Sequence, residues 1–246
     1  MIENLNIAAS GMLAMQQRID GVANDLANAS TNGYKHVRMG FRDLVYNEAG
    51  RSQVGGVNEG SGVATVDAGR AFDQGSLQRT DSPLDVAVQG DGFLQVKLPD
   101  GRQALTRDGA MHLDSNGTLV TASGAKVQPG LTVPKGTSLS DISISAGGVV
   151  AGKGGKRLGT ISLVTVRSPQ ALESVGDNAF VVTQASGAAT RAGTGTQLSQ
   201  GALEASNVDT ADEMVQMIDA QRGYQLASKS ISTADEMMQI ANGIRR

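Results

Sequence analysis

Gly147-Gly-Val-Val-Ala-Gly152-Lys153-Gly154 comes within one residue of a phosphate-binding loop. In such a loop, backbone N–H groups and the lysine hold phosphates, and a Ser or Thr after the lysine holds magnesium. Gly154 stands where that hydroxyl belongs. The loop must also open a helix, yet "GKRLGTISLVTV" that follows reads as strand, so a hairpin turn displaying lysines is predicted. "DSNGTL" at 114–119 starts like a calcium loop but lacks the sixth-position Gly and the twelfth-position Glu; it reads as a β-turn. Gly90-Asp91-Gly92, a possible anion nest, reads as a tight turn between strands. His36 and His112 are the two histidines, cysteine is absent, and no Gly-x-Ser-x-Gly elbow occurs. No local spacing pairs two carboxylates for acid–base work. The sequence therefore assigns no catalytic, cofactor-binding or metal-ligating residue, and an interaction protein is expected in place of an enzyme.

The elements that would position such residues point the same way. Leu5, Ala8, Met12, Met15, Ile19, Val22, Leu26 and Ala29 are all apolar at alternating spacings of three and four. That is the seam of a helix facing another helix. Asn32-Gly33 supplies a left-handed stop after it. Met217, Ala220, Tyr224, Ala227, Ile231, Ala234, Met238 and Ala241 repeat the pattern near the other end, with Ala at every second position. Small residues alternating with larger ones let two helices approach closely. Thr210-Ala-Asp-Glu213 reads as a capping box, so the second helix is predicted to begin near residue 210.

Between these helices the pattern changes. "LDVAVQG", "GFLQVKL", "GTLVTA", "ISLVTV" and "AFVVTQ" are short runs of near period-two alternation, separated by Asp-Gly, Asn-Gly and Pro. Such runs predict antiparallel β structure. "QGSLQRT" at 74–80 is echoed by "QGALEAS" at 200–206, which predicts two similar strands side by side at the entrance and exit of the β region. Residues 47–64, rich in Gly, Ser and Asn, read as an extended or mobile connector. The expected fold is α+β, with the terminal helices paired as a coiled-coil stem and a central antiparallel all-β domain. Its divisions are a stem helix over 1–33, a connector over 34–70, the β domain with flanking strands over 71–205, and a second stem helix over 206–246.

Composition limits the partners. The 246 residues include 32 glycines, four Phe, three Tyr and no Trp, so the expected core is aliphatic and thin. Net charge is −3 and no basic run stands out, which argues against nucleic acid. The start, "MIENLNIAASGMLAMQQRID", lacks the basic and apolar regions of a signal peptide, and no stretch approaches the roughly 20 apolar residues of a membrane span. No membrane insertion is expected.

"AASGMLAMQQRIDGVANDLANASTNGYK" resembles the N-terminal signature of the bacterial flagellar rod and hook proteins. "PLDVAVQGDGFLQV", "TRDGAMHLDSNGTLVTASGAKVQP" and "QGALEASNVDTADEMVQMIDAQRGYQLASKSISTADEMMQIAN" resemble later blocks of that family, in the same order. Length and the "LPDG…TRDG" block look most like the distal rod branch; proximal rod or hook-type subunits are the alternative. The resemblance implies paired terminal helices walling a helical tube, with β domains outside and the two seams as assembly seams, Leu5, Met12, Ile19 and Leu26 packing against Met217, Tyr224, Ile231 and Met238 within and between subunits. It implies a stiff, torque-transmitting homopolymer in the basal body, within the periplasmic space and cell wall. Its implied partners are copies of itself, other axial proteins of rod and hook, and the flagellar type III export apparatus, with no cleaved signal peptide. No cofactor is implied.

That resemblance bears on "GVANDLANASTNGYK" at 21–35, where Asn and Ser replace the charges of an ordinary surface helix. A helix so polar outside its seam is marginal alone and suits a segment that orders among neighbours. Asn24, Asn28, Ser30, Thr31 and Asn32 either hydrogen-bond laterally or simply end the helix.

Overall fold

The computed structural model describes residues 2–44, 60, 62–134, 136–193 and 195–244. They divide into two compact units, one of Met1–Ala27, Val37–Ala68 and Asp209–Arg246, the other of Asn28–His36 and Gly69–Val208.

The first unit is built on helices α1 (Ile2–Ala27) and α2 (Thr210–Ile244). They pack against each other in antiparallel sense: Met15 meets Gly223, and Arg18, further along α1, reaches back to Gln216. Strands β1 (Val37–Asp43) and β2 (Val63–Arg70) pair as a two-stranded sheet. They lie within the span read as connector, whose Gly-rich stretch falls mostly outside the described residues. Side-chain contacts hold the sheet to α1. Both Asp25 carboxylate oxygens accept from Val37 N–H at 3.2 Å, and Ser10 Oγ accepts from Val63 N–H at 3.2 Å. The Arg18 guanidinium sits 5.7 Å over the Phe41 ring.

The second unit is all β, as its short alternating runs predict. Its strands are β3 (Leu77–Arg79), β4 (Val86–Gln89), β5 (Phe93–Lys97), β6 (Gln103–Thr106), β7 (Met111–Leu113), β8 (Leu119–Thr121), β9 (Lys126–Val127), β10 (Ser143–Ile144), β11 (Val149–Ala151), β12 (Arg157–Thr160), β13 (Leu163–Thr165), β14 (Glu173–Gly176), β15 (Ala179–Val181), β16 (Thr190–Arg191), β17 (Gln197–Gln200) and β18 (Ala202–Glu204). The largest sheet runs β14-β15-β6-β5-β9-β8-β7, with β13 joined to β5 and to β16. Strands β10, β11 and β12 form a meander. β4 pairs with β17, and β3 with β18, both antiparallel. The two echoed heptapeptides thus do lie side by side, with Glu204 opposite Leu77.

The core is largely aliphatic: Val86, Val88, Leu94, Val96, Leu119, Val127, Ile161 and Leu198 pack in one cluster. A second cluster gathers most of the phenylalanine, with Phe72 edge-on to Phe93 at 5.2 Å and to Phe180 at 5.1 Å. Strand β4 departs from simple alternation, because Val86, Ala87 and Val88 are all buried. A strand covered on both faces needs apolar residues at successive positions, and Ala fills the shallower side. Gly109 explains how close the backbones come. A Cβ there would lie 1.6 Å from the Val86 carbonyl oxygen, while Val86 N–H donates to the Gly109 carbonyl at 3.1 Å.

Candidate assembly interface of the terminal helices

Helix α1 ends sooner than its apolar pattern predicts. Its last residue is Ala27, not the residue before Asn32-Gly33. Asn28 opens a turn in which its carbonyl accepts from Thr31 N–H at 3.0 Å and its side chain meets Thr31 Oγ1 at 3.2 Å. Side chains of this kind offer the backbone a local alternative to the helix. Asn32 accepts through its carbonyl from Asn178 Nδ2 at 2.9 Å. Gly33 has the expected positive φ of 67°, but it lies six residues beyond the helix. Ala29, the last of the predicted seam, is therefore off the helix and half-buried.

Helix α2 begins at Thr210, as predicted, but with a different cap. Asp209, not Thr210, is the cap: its Oδ1 accepts from Ala211 N–H at 2.9 Å and from Asp212 N–H at 3.3 Å. A carboxylate there satisfies orphan N–H groups and faces the positive end of the helix dipole. Thr210 becomes the first helical residue.

On α1, Leu5, Ala8, Met12, Met15, Ile19 and Leu26 are half-buried and Val22 is buried. On α2, Ala220 is fully buried, and Met217, Tyr224, Ala227, Ile231, Ala234 and Met238 are half-buried. The side chain of Ala241 lies outside the described residues. Ala14, Gly21 and Gly223 were not among the seam residues, yet Ala14 is buried and both glycines are contact points. A Cβ on Gly223 would be 2.9 Å from Met15 Sδ, and one on Gly21 would be 2.8 Å from Met39 Sδ. Their signal was faint because Gly counts as a breaker, not as a seam residue.

Helix α2 carries a second apolar surface that the seam analysis missed. Met214, Val215, Ile218, Leu226, Met237 and Ile240 are exposed, Leu226 to 72% and Ile240 to 63%. At about 100° per residue they fall in one arc, roughly opposite the seam. Helix α1 adds Leu13, 66% exposed and off its own seam. The exposed charges of Arg222, Lys229 and Glu236 share the α2 arc, so it is a row of apolar residues interrupted by charge.

The β-rich unit holds a buried charge cluster that no local spacing announced. Lys35 and Glu204 have fully buried side chains, with Nζ 2.5 Å from Oε1, and Arg107 Nη1 lies 3.2 Å from Oε2. Gly75 N–H donates to Glu204 Oε1 at 2.9 Å, Lys35 Nζ to the Asp73 carbonyl at 2.7 Å, and Arg107 Nη2 to the Gly90 carbonyl at 2.9 Å. Burial pushes the Lys35 ammonium below the usual lysine range, against the pull of Glu204. Asn207 ties the same segments: it accepts from His36 N–H at 2.9 Å and donates to the Ala71 and Asp73 carbonyls.

The loops singled out for chemistry are turns. Residues 152–156 join β11 to β12 with Lys153 and Lys156 exposed; a single 3₁₀ turn over Lys153–Gly155 leads straight into strand where a phosphate loop opens an α-helix, and the phosphate-loop reading falls. Gly117 N–H donates to the Asp114 carbonyl at 2.7 Å in the turn between β7 and β8, and Gly90-Asp-Gly92 turns between β4 and β5. A cleft of about 800 Å³, lined in part by Gln95, Arg157, Thr160, Arg191 and Gln197, has no acid or histidine among the described residues of its wall. Among the described residues no helix is long and apolar enough to cross a membrane.

Comparison with known proteins bears on the same segments. Residues 5–35 match the family described as flagella basal body rod protein. Residues 87–152 match the flagellar hook protein FlgE/F/G D1 domain, and residues 199–244 the flagellar basal body rod FlgEFG protein C-terminal family. Over 264 residues the chain is 40% identical to the flagellar basal-body rod protein FlgG of Borreliella burgdorferi, covering 100% of each. It is 40% identical over 263 residues to the protein of that name from Caulobacter vibrioides, covering 99% of this chain and 100% of the relative. Against the one from Buchnera aphidicola subsp. Acyrthosiphon pisum it is 42% identical over 250 residues, covering 94% and 95%.

Proposed function

The chain belongs to the flagellar basal-body rod protein family, whose members are structural rod subunits, and from that premise we propose that it is a distal-type subunit polymerising through the outer apolar face of α2. In this reading the seam holds α1 to α2 within a subunit, and Met214, Ile218, Leu226 and Ile240 meet neighbouring copies. The product is a stiff helical tube that carries torque toward the hook. The stem segments are 1–33 and 206–246, 34–70 connects, and 71–205 is the β domain. Other axial proteins of the rod and hook cap its ends. The subunit passes through the flagellar type III export apparatus without a cleaved signal peptide and works in the periplasmic space and cell wall. It is not an enzyme and uses no cofactor.

The observation that carries this reading is the exposure of large apolar residues along the α2 face opposite its seam. Burying one Leu or Ile side chain contributes about 1.5–3 kcal/mol, so a row of them is ample for assembly. The test is Leu226→Asp combined with Ile240→Asp. Both sites are exposed in the isolated subunit, so its circular dichroism and melting should match the parent. Its critical concentration for polymerisation should rise by about tenfold or more, since 1.4 kcal/mol is tenfold. Polymerisation at the parent's concentration would overturn the assignment of this face.

A further inference from the structure

We propose that Glu204 is the closing element of a buried charge clasp, which makes closure of the β-rich unit conditional on docking of its last strand. The three charges come from distant parts of the chain: Lys35 is 169 residues and Arg107 is 97 residues from Glu204. Without Glu204 the two cations would be faced by the Asp73 and Gly90 carbonyls and, from the surface, by the exposed Asp73 carboxylate. Two buried like charges with no buried counter-charge are unfavourable, and an exposed carboxylate offsets little of that cost. Lys35 bears the mark of that environment, since burial lowers its proton affinity even with Glu204 in place. The Arg107 guanidinium is already committed to the interior, 5.2 Å over the Phe93 ring, with its Nε lacking a hydrogen-bond partner.

Glu204 completes the site through both main chain and side chain. Its carboxylate receives Lys35, Arg107 and Gly75 N–H, and its carbonyl accepts from Gly33 N–H at 2.8 Å. The residues that flank it repeat the arrangement with neutral groups, as Ala205 N–H donates to the Ser76 carbonyl and Asn207 bridges His36, Ala71 and Asp73. Segments 33–36, 71–75 and 204–207 are thus stitched together by one carboxylate and one amide. A core assembled from β4 to β16 alone would keep this edge open and hydrated. The clasp couples the two ends of the unit, so the unit closes in one step.

The test is pulse-labelled hydrogen exchange during refolding of the full chain. In the parent protein, the amides of Gly33 and Gly75 should gain protection in the same kinetic phase as those of β5 and β6. Protection of β5 and β6 at least tenfold faster than at Gly33 and Gly75 would overturn the proposal without recourse to any variant. Glu204→Gln, which keeps the shape and removes the charge, should slow that common phase by tenfold or more; an unchanged rate would also overturn it. The neutral triple variant Lys35→Met, Arg107→Met, Glu204→Leu should split the phase, with β5 and β6 protected first. A single phase at the parent rate in that variant would show that the charges do not couple the ends.

Discussion

Asp108 shows how one side chain sets a pH dependence. Its Oδ1 accepts from Ala110 N–H at 3.0 Å, but burial outweighs that bond and raises its proton affinity above the ordinary carboxylate value of 3.8. A group whose folded pKa is raised stabilises fully below its unfolded pKa, and this contribution is lost as pH rises through the folded value. At neutral pH the charged carboxylate is therefore a cost to the fold. Asp108→Asn keeps the acceptor oxygen and removes the charge. It should raise the urea midpoint at pH 7, and the gain should vanish as the pH is lowered through the folded value toward 3.8. A midpoint unchanged at pH 7 would show that Asp108 is better solvated than its surroundings indicate. Residue-level features of this sort were poorly legible in advance. The Lys35–Arg107–Glu204 cluster left one trace, since Glu204 occupies the place that the neutral Gln78 holds in the echoed heptapeptide. A charge in one copy of a repeat and not in the other marks a different environment.

At the scale of elements, the antiparallel helix pair depends on Gly223 as much as on any large residue. Gly223→Leu should separate the helices at Met15, lowering helical stability by about 1–3 kcal/mol, as overpacking does. Adding Met15→Ala should restore most of the loss, which thermal melts followed at 222 nm would check. No rescue would mean that the two residues do not oppose each other. The period of three and four was visible in the sequence over eight positions near each end of the chain; Ala29 falls beyond α1, and every described α2 member is half-buried or buried. The end of α1 was not legible, because Asn28 and Thr31 form their own turn; the start of α2 was, although its cap lay one residue before the motif that signalled it. The outer face of α2 escaped notice for a related reason. Two apolar arcs on opposite sides of a helix nearly cancel, so a search for one face finds only the better-spaced one. Strands β1 and β2 were hidden by the Gly-rich stretch that separates them, which drew the whole span into a connector.

For the whole molecule, the two units draw their stability from different sources. The β-rich unit closes its own aliphatic core and stitches its own ends, whereas the helical unit leaves several large apolar side chains of α2 in contact with water. Binding that favours only the folded state adds stability by mass action. Melting of the helical signal should therefore shift upward with subunit concentration, while near-ultraviolet signals from the Phe72–Phe93–Phe180 cluster should melt at a fixed temperature. Equal shifts in both would mean that the units unfold together. The antiparallel β domain and its place between the helices followed from alternation and turn chemistry, because those depend on neighbours in the chain. What assembles the units into a rod depends on surfaces that meet only between chains.

The close approaches at Gly21 and Gly223 have a chemical consequence of their own. The chain has nine methionines and no cysteine, so a peroxide meets thioethers and never a thiol. Met15 and Met39 place their sulfurs against glycine backbone, where even a Cβ would intrude. A sulfoxide oxygen adds bulk and polarity at an apolar contact of this kind. Oxidative damage would then act as a wedge, loosening α1 from α2 and from β1 with no cross-link formed, and it would be reversible by a reductase.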